Sequence, residues 1–225
     1  MRRLAKRLVV FVLGMQFLAI GIVLNTKTGL GVAAFTSVFC EMSVIYGMSL
    51  GMASFLLYLV FIAIQLVLLR RASLSLPSVL LQIPFSFAFG LLTDIYDALI
   101  PFENPSLVEA FVMLVPALVI TSWGVYSMVR CNLVVAPVEG IVNAFARLLK
   151  VRFGTVKNCF DIAMIVISAT MCLVLCQPIT CIGIGTVISA VVLGRLIALY
   201  EKKINLFGET DERAKRGCQA EKQSV

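Results

Sequence analysis

The sequence predicts an all-α polytopic membrane protein with six transmembrane helices, two further broken or re-entrant segments, and two halves of inverted topology. Three observations predict it. Hydrophobic residues make up 60% of the 225 and charged ones 14%, with a mean hydropathy of +1.02, more apolar surface than a soluble core of this length can hide. Long uncharged runs recur, each close to the about 20 residues that a helix needs to cross about 30 Å of hydrocarbon. The same order of segments also occurs twice along the chain, as an internal repeat would give.

The elements follow in order. Met1 to Arg7 (MRRLAKR) is a basic start, and an apolar run continues through Leu24. That run is too long for the core of a cleaved signal peptide and lacks an A-x-A-like site, so it reads as the first span. Leu50 to Leu69 is uncharged and ends in Arg70-Arg71, giving the second. Ala72 to Thr93 reaches Asp94 and Asp97 without a charge and gives the third; Ala110 to Val129, ending at Arg130, gives the fourth. Between Asp161 and Arg195 the uncharged stretch is too long for one helix. Gln177-Pro178 breaks it, because proline cannot continue a helix, into spans near Asn158–Cys176 and Ile179–Tyr200.

Gly29–Gly47 and Leu133–Lys150 are apolar but interrupted by Gly, Pro and Glu. If both spanned, Lys27, Arg70, Arg71 and Arg130 would face the side opposite the basic N-terminus. If neither spans, the outside keeps only Lys27 of nineteen basic residues, which the positive-inside rule favours, with both termini cytoplasmic. Glu41 and Glu139 weigh the same way, since a carboxylate at a helix centre costs about 2.5–3.5 kcal/mol on insertion scales. Each segment then either re-enters the membrane or lies on its surface as an amphipathic helix. Three spans per repeat is an odd number, so residues 1–104 and 105–203 enter the membrane from opposite sides, a plan common in secondary transporters. Residues 204–225 read as a disordered cytoplasmic tail.

Several chemistries are set aside. The chain has no histidine, which excludes His-based triads and imidazole ligands or proton shuttles. The net charge of +7 sits at the ends of apolar runs and serves topology beside anionic lipid, not nucleic acid. The seven cysteines (Cys40, Cys131, Cys159, Cys172, Cys176, Cys181 and Cys218) form no CxxC pair and read as small packing residues. No metal, no cofactor and no catalytic residue is expected, and the chain is not read as an enzyme.

The candidate binding residues lie in the two interrupted segments. Ala136-Pro137-Val138-Glu139-Gly140, followed by Asn143, suits a helix N-terminus, with Pro at the first position and a carboxylate in the first turn. Glu139 and Asn143, four apart, share one face. From the first half, Gly29 and Gly31 permit close approach of backbone N–H groups to a ligand, with Thr36 beyond them. Lys157 and Asp161 form an i,i+4 pair at the start of the fifth span, placed to couple or gate, or to pair structurally at the interface. In the last span Gly183, Gly185, Thr186 and Gly194 are assigned to close helix packing. Gln65 and Gln82 are lesser polar candidates.

Taken together, Gly29-Leu30-Gly31-Val32-Ala33-Ala34-Phe35, the APVEG run, Lys157-Asn158-Cys159-Phe160-Asp161 and Gly183-Ile184-Gly185-Thr186 resemble motifs of the YczE-type bacterial integral membrane proteins, grouped with YitT and YyaS. The resemblance covers about residues 5–203. The chain departs from the family pattern at Ala34, Phe35 and Thr36, where many relatives carry Pro-Trp-Asp. The resemblance implies a bacterial cell-membrane location and, through the gene setting of some members, a B6 vitamer or related metabolite. The function expected is transport of a small polar, vitamin- or amino-acid-like solute, bound between the repeats near the midplane. The alternative is a non-catalytic substrate-binding or accessory subunit of a larger complex, with membrane lipid, a homo-oligomer or accessory subunits as partners.

Overall fold

A computed structural model describes residues 2–72, 74–102, 105–131 and 133–204; the expected disordered tail, 204–225, lies outside them except for Ile204, as does the acidic Glu103. The described chain is helical, with no strand among the described residues: α1 (Arg2–Lys27), α2 (Ala34–Tyr46), α3 (Leu50–Val67), α4 (Leu76–Leu80), α5 (Gln82–Leu99), α6 (Leu107–Cys131), α7 (Pro137–Leu149), α8 (Phe153–Val174) and α9 (Ile184–Lys203). Among the described residues, five stretches are long and apolar enough to cross a membrane: Leu4–Lys27, Leu50–Val67, Leu76–Leu99, Leu107–Cys131 and Phe153–Val174. The apolar part of the sixth expected span, Ile184–Tyr200, is shorter. It starts later than the sequence suggested because α8 ends in a left-handed turn at Cys176 (φ 52°). The Gln177 N–H caps that turn on the Cys172 carbonyl at 2.9 Å. Pro178 cannot continue the helix, and the chain stays irregular until α9 opens at Ile184.

The two interrupted segments form matched short helices. α2 and α7 each hold 13 residues, about 20 Å at 1.5 Å per residue and too short to span. Each follows an extended residue (Ala33, φ −60°, ψ 150°; Ala136, φ −61°, ψ 148°) and ends in a left-handed one (Gly47, φ 62°; Lys150, φ 55°). Glycine takes that conformation freely at 47, whereas Lys150 adopts it against its Cβ.

Packing repeats the same correspondence. α1 and α6, the first long helix of each half, cross antiparallel through small residues. A Cβ on Gly14 would meet Met128 and Ser127, one on Gly124 would meet Leu18, and one on Gly21 would sit 2.2 Å from Thr121 Oγ1. Antiparallel contact between equivalent helices is what inverted halves require. α1 also packs on α5 and α6 on α9, making one group of four. In the other group α2 lies against α8 and α3, while α7 lies against α3 and α8. The main lateral junction between the groups is α3 with α5, cored by Tyr58 and Phe89 at 5.8 Å between ring centres.

Candidate functional site

Backbone geometry brings the start of α2 and the start of α7 towards the same helices, α3 and α8. Pro137 opens α7, where its missing N–H is no loss, and its carbonyl accepts a hydrogen bond from Gln65 Nε2 of α3 at 3.3 Å. Gln65 and Gln82 also bond each other reciprocally, at 3.0 and 2.9 Å. Both glutamines are buried, so each amide that water would otherwise solvate is answered inside the protein. Gly140 must be glycine-like here, because a Cβ would lie 2.5 Å from Gln65 Oε1 and 2.8 Å from Gln82 Nε2. The glutamine pair therefore seats the first turn of α7.

That seat places α7, with Glu139 in its first turn, against α8, which carries a charged and aromatic cluster. The Lys157 ammonium bonds Asp161 Oδ1 at 2.5 Å along one face of α8, with both side chains about a quarter exposed (25% and 29%). The same ammonium lies 5.4 Å from the Phe35 ring centre on α2 and 5.7 Å from that of Phe160, cation–π range. α7, which carries the half-buried Glu139, packs on α8 and also on α3, where Tyr58 is buried. Lys157, Asp161 and Phe160 of α8 thus meet Phe35 of α2, beside the helix that carries Glu139. A cation, a carboxylate and aromatic faces held together in this way can bind a small polar solute.

Of the residues selected from sequence, Lys157 and Asp161 form this cluster, Glu139 lies in the first turn of the neighbouring α7, Pro137 is part of the seat and Asn143 is half-buried further along α7. Gly29, Gly31 and Thr36 are placed differently. Gly29, at φ 66°, has nothing within 4 Å of a Cβ and borders a crevice of about 550 Å³ with Lys27, Phe102 and Leu107. Gly31 (φ 104°) is pressed on Gly183 and Thr186, and the Thr36 hydroxyl bonds back to the Ala33 carbonyl at 2.7 Å. Gly183 and Gly185 admit the backbone of Leu30 and Gly31; Gly185 N–H donates to the Leu30 carbonyl at 2.7 Å. Thr186 Oγ1 accepts from Gly183 N–H at the start of α9. Gly194 touches no neighbour within 4 Å of a Cβ, so helix packing does not account for it in this conformation.

A second structural knot was not expected. Cys40 and Cys181 form a disulfide, with 6.1 Å between their Cα atoms, which corrects the reading of these two as packing residues. Beside it Glu41, fully buried, accepts hydrogen bonds from Thr180 N–H, Thr180 Oγ1 and Cys181 N–H at 2.9, 2.9 and 2.7 Å. Val32 N–H adds a bond to the Cys181 carbonyl at 2.9 Å. These contacts tie α2 to the chain entering α9. The one sequence signal was a carboxylate next to a cysteine inside an apolar segment.

Residues 5–202 match the model of one protein family, whose description is "Family of unknown function (DUF6198)". No curated protein matches the chain, and no solved structure does.

Proposed function

The chain belongs to the DUF6198 family, and we propose that it is a membrane transporter of a small polar metabolite, with the solute held between the starts of α2 and α7. The observation that supports this most is the Lys157–Asp161 ion pair beside Phe35, on the helix α8 that packs against the Glu139-bearing α7. Ionisable groups at membrane depth are costly and mark solute or proton pathways, and broken helices at a repeat interface are where transporters place their sites. Glu139 would contact the solute or carry a proton, Lys157 and Asp161 would respond to its charge, and Phe35, Phe160 and Tyr58 would exclude water.

The bilayer would be a bacterial cell membrane with both termini in the cytoplasm. In support, the face holding Arg70, Arg71, Lys150 and Arg152 then meets the cytoplasm, leaving Lys27 with Asp97, 3.0 Å apart, on the other. The test is thermal stability of the purified protein against a panel of B6 vitamers, amino acids and organic anions. A saturable rise that Glu139→Gln abolishes supports the reading; no rise for any compound turns the search to a non-catalytic subunit role and a protein partner.

A further inference from the structure

Among the pairings of long helices, the two halves differ most at one junction. At one end of the α3/α5 junction the backbones of Gly51 and Gly90 touch: a Cβ on Gly51 would lie 2.0 Å from the Gly90 carbonyl oxygen, and one on Gly90 would lie 2.8 Å from that of Gly51. Asp94 of α5 closes the same junction from above. Its carboxylate accepts from Gly51 N–H at 2.6 Å and from the Ser49 hydroxyl at 2.8 Å, occupying the N-terminal donors of α3, where negative charge is favoured.

The equivalent junction in the second half is α8 with α9, and it is open. Gly154 and Gly194, which follow Gly51 and Gly90 by 103 and 104 residues, each have nothing within 4 Å of a Cβ. The two helices do not pack along their length as α3 and α5 do.

We propose that the Gly51–Gly90 and Gly154–Gly194 contacts are the two alternating gates of the molecule. The structure holds the first shut with Asp94 as its latch and leaves the second ajar. Swinging the α2–α3–α7–α8 group against the α1–α5–α6–α9 group parts α3 from α5 and brings α8 onto α9. The exposed apolar residues of α8 and α9 near Gly154 and Gly194 are then covered by each other in the second state. This rests on the transporter reading for its purpose, but its geometry is tested without any solute.

The experiment places Gly154→Cys and Gly194→Cys in the full chain, with Cys159, Cys176 and Cys218 changed to serine and the Cys40–Cys181 bond kept, and follows crosslinking by a short bis-maleimide in lipid nanodiscs. The pair is expected to crosslink slowly in the otherwise unchanged chain. Asp94→Asn, which weakens the latch, and Gly90→Ala, which props the first gate open, each raise the rate about tenfold. Rates unaltered by whichever of these variants folds, or fast crosslinking before any latch change, would overturn the proposal. Should neither variant fold, the unchanged chain still decides, since no crosslink after prolonged incubation means that the second gate never closes. Solute-induced stabilisation, lost in Glu139→Gln, is a separate readout, so a failed gate leaves the site reading intact.

Discussion

The carboxylate of Glu41 holds Thr180 by two hydrogen bonds, one from its backbone N–H and one from its hydroxyl, each 2.9 Å. With Cys181 N–H as a third donor at 2.7 Å, one buried acidic side chain organises the turn between α8 and α9. Charge-assisted bonds of this kind are stronger than neutral ones, and removing the acceptor leaves three donors unanswered. Glu41→Ala is therefore expected to destabilise the protein by about 3 kcal/mol or more, while Glu41→Gln, which keeps one oxygen, costs less. Thermal melting of the two variants in the same detergent checks the order.

The Cys40–Cys181 bond closes a loop of 141 residues. Reduction, or Cys40→Ser, is expected to lower stability by about 2–5 kcal/mol. Mass spectrometry after alkylation without reductant checks the pairing itself: the exposed Cys159 and Cys176 take up the label, and Cys40 and Cys181 do so only after reduction.

Gln65 and Gln82 answer each other and the Pro137 carbonyl, so single and double substitutions should not add. Gln65→Leu alone strands the Gln82 amide and costs about 1–3 kcal/mol; Gln65→Leu with Gln82→Leu costs less than the sum of the two single changes. A melting cycle of the four proteins measures this. Because the pair seats α7, the double variant is expected to weaken solute binding even with Glu139 present.

The α1/α6 crossing depends on its glycines. Gly21→Ala puts a methyl group 2.2 Å from Thr121 Oγ1, and the two helices must separate to admit it, at about 1–3 kcal/mol. Gly194→Ala, in open space, is expected to leave the melting temperature within a degree or so of the parent. Equal effects of the two would contradict the packing described.

Long uncharged runs made most spans legible, because hydrocarbon thickness sets helix length directly. The break between α4 and α5 at Leu81 was not, since a single change of helix phase leaves no compositional mark. The Lys157–Asp161 pair could be read because i,i+4 neighbours meet on any helix, and Glu139 because a carboxylate behind proline suits a first turn. Phe35 was visible only as a departure from a motif, and its approach to Lys157 depends on how α2 crosses α8. The disulfide joins positions 141 residues apart, and Glu41 finds backbone donors, which side-chain patterns do not record. Gly29 and Gly31 were recognised as turn residues, but the partner of Gly31 proved to be the Gly183 backbone, a contact fixed by tertiary packing alone.

Binding at Glu139 is the central claim, and ligand-dependent melting of the wild-type protein beside Glu139→Gln tests it most directly. At a hundredfold excess over its dissociation constant a solute that binds only the folded state adds about 2.7 kcal/mol. The account predicts a saturable rise in the melting temperature for at least one polar metabolite, absent in Glu139→Gln although that variant melts cooperatively without solute. The same rise in both proteins would contradict the site.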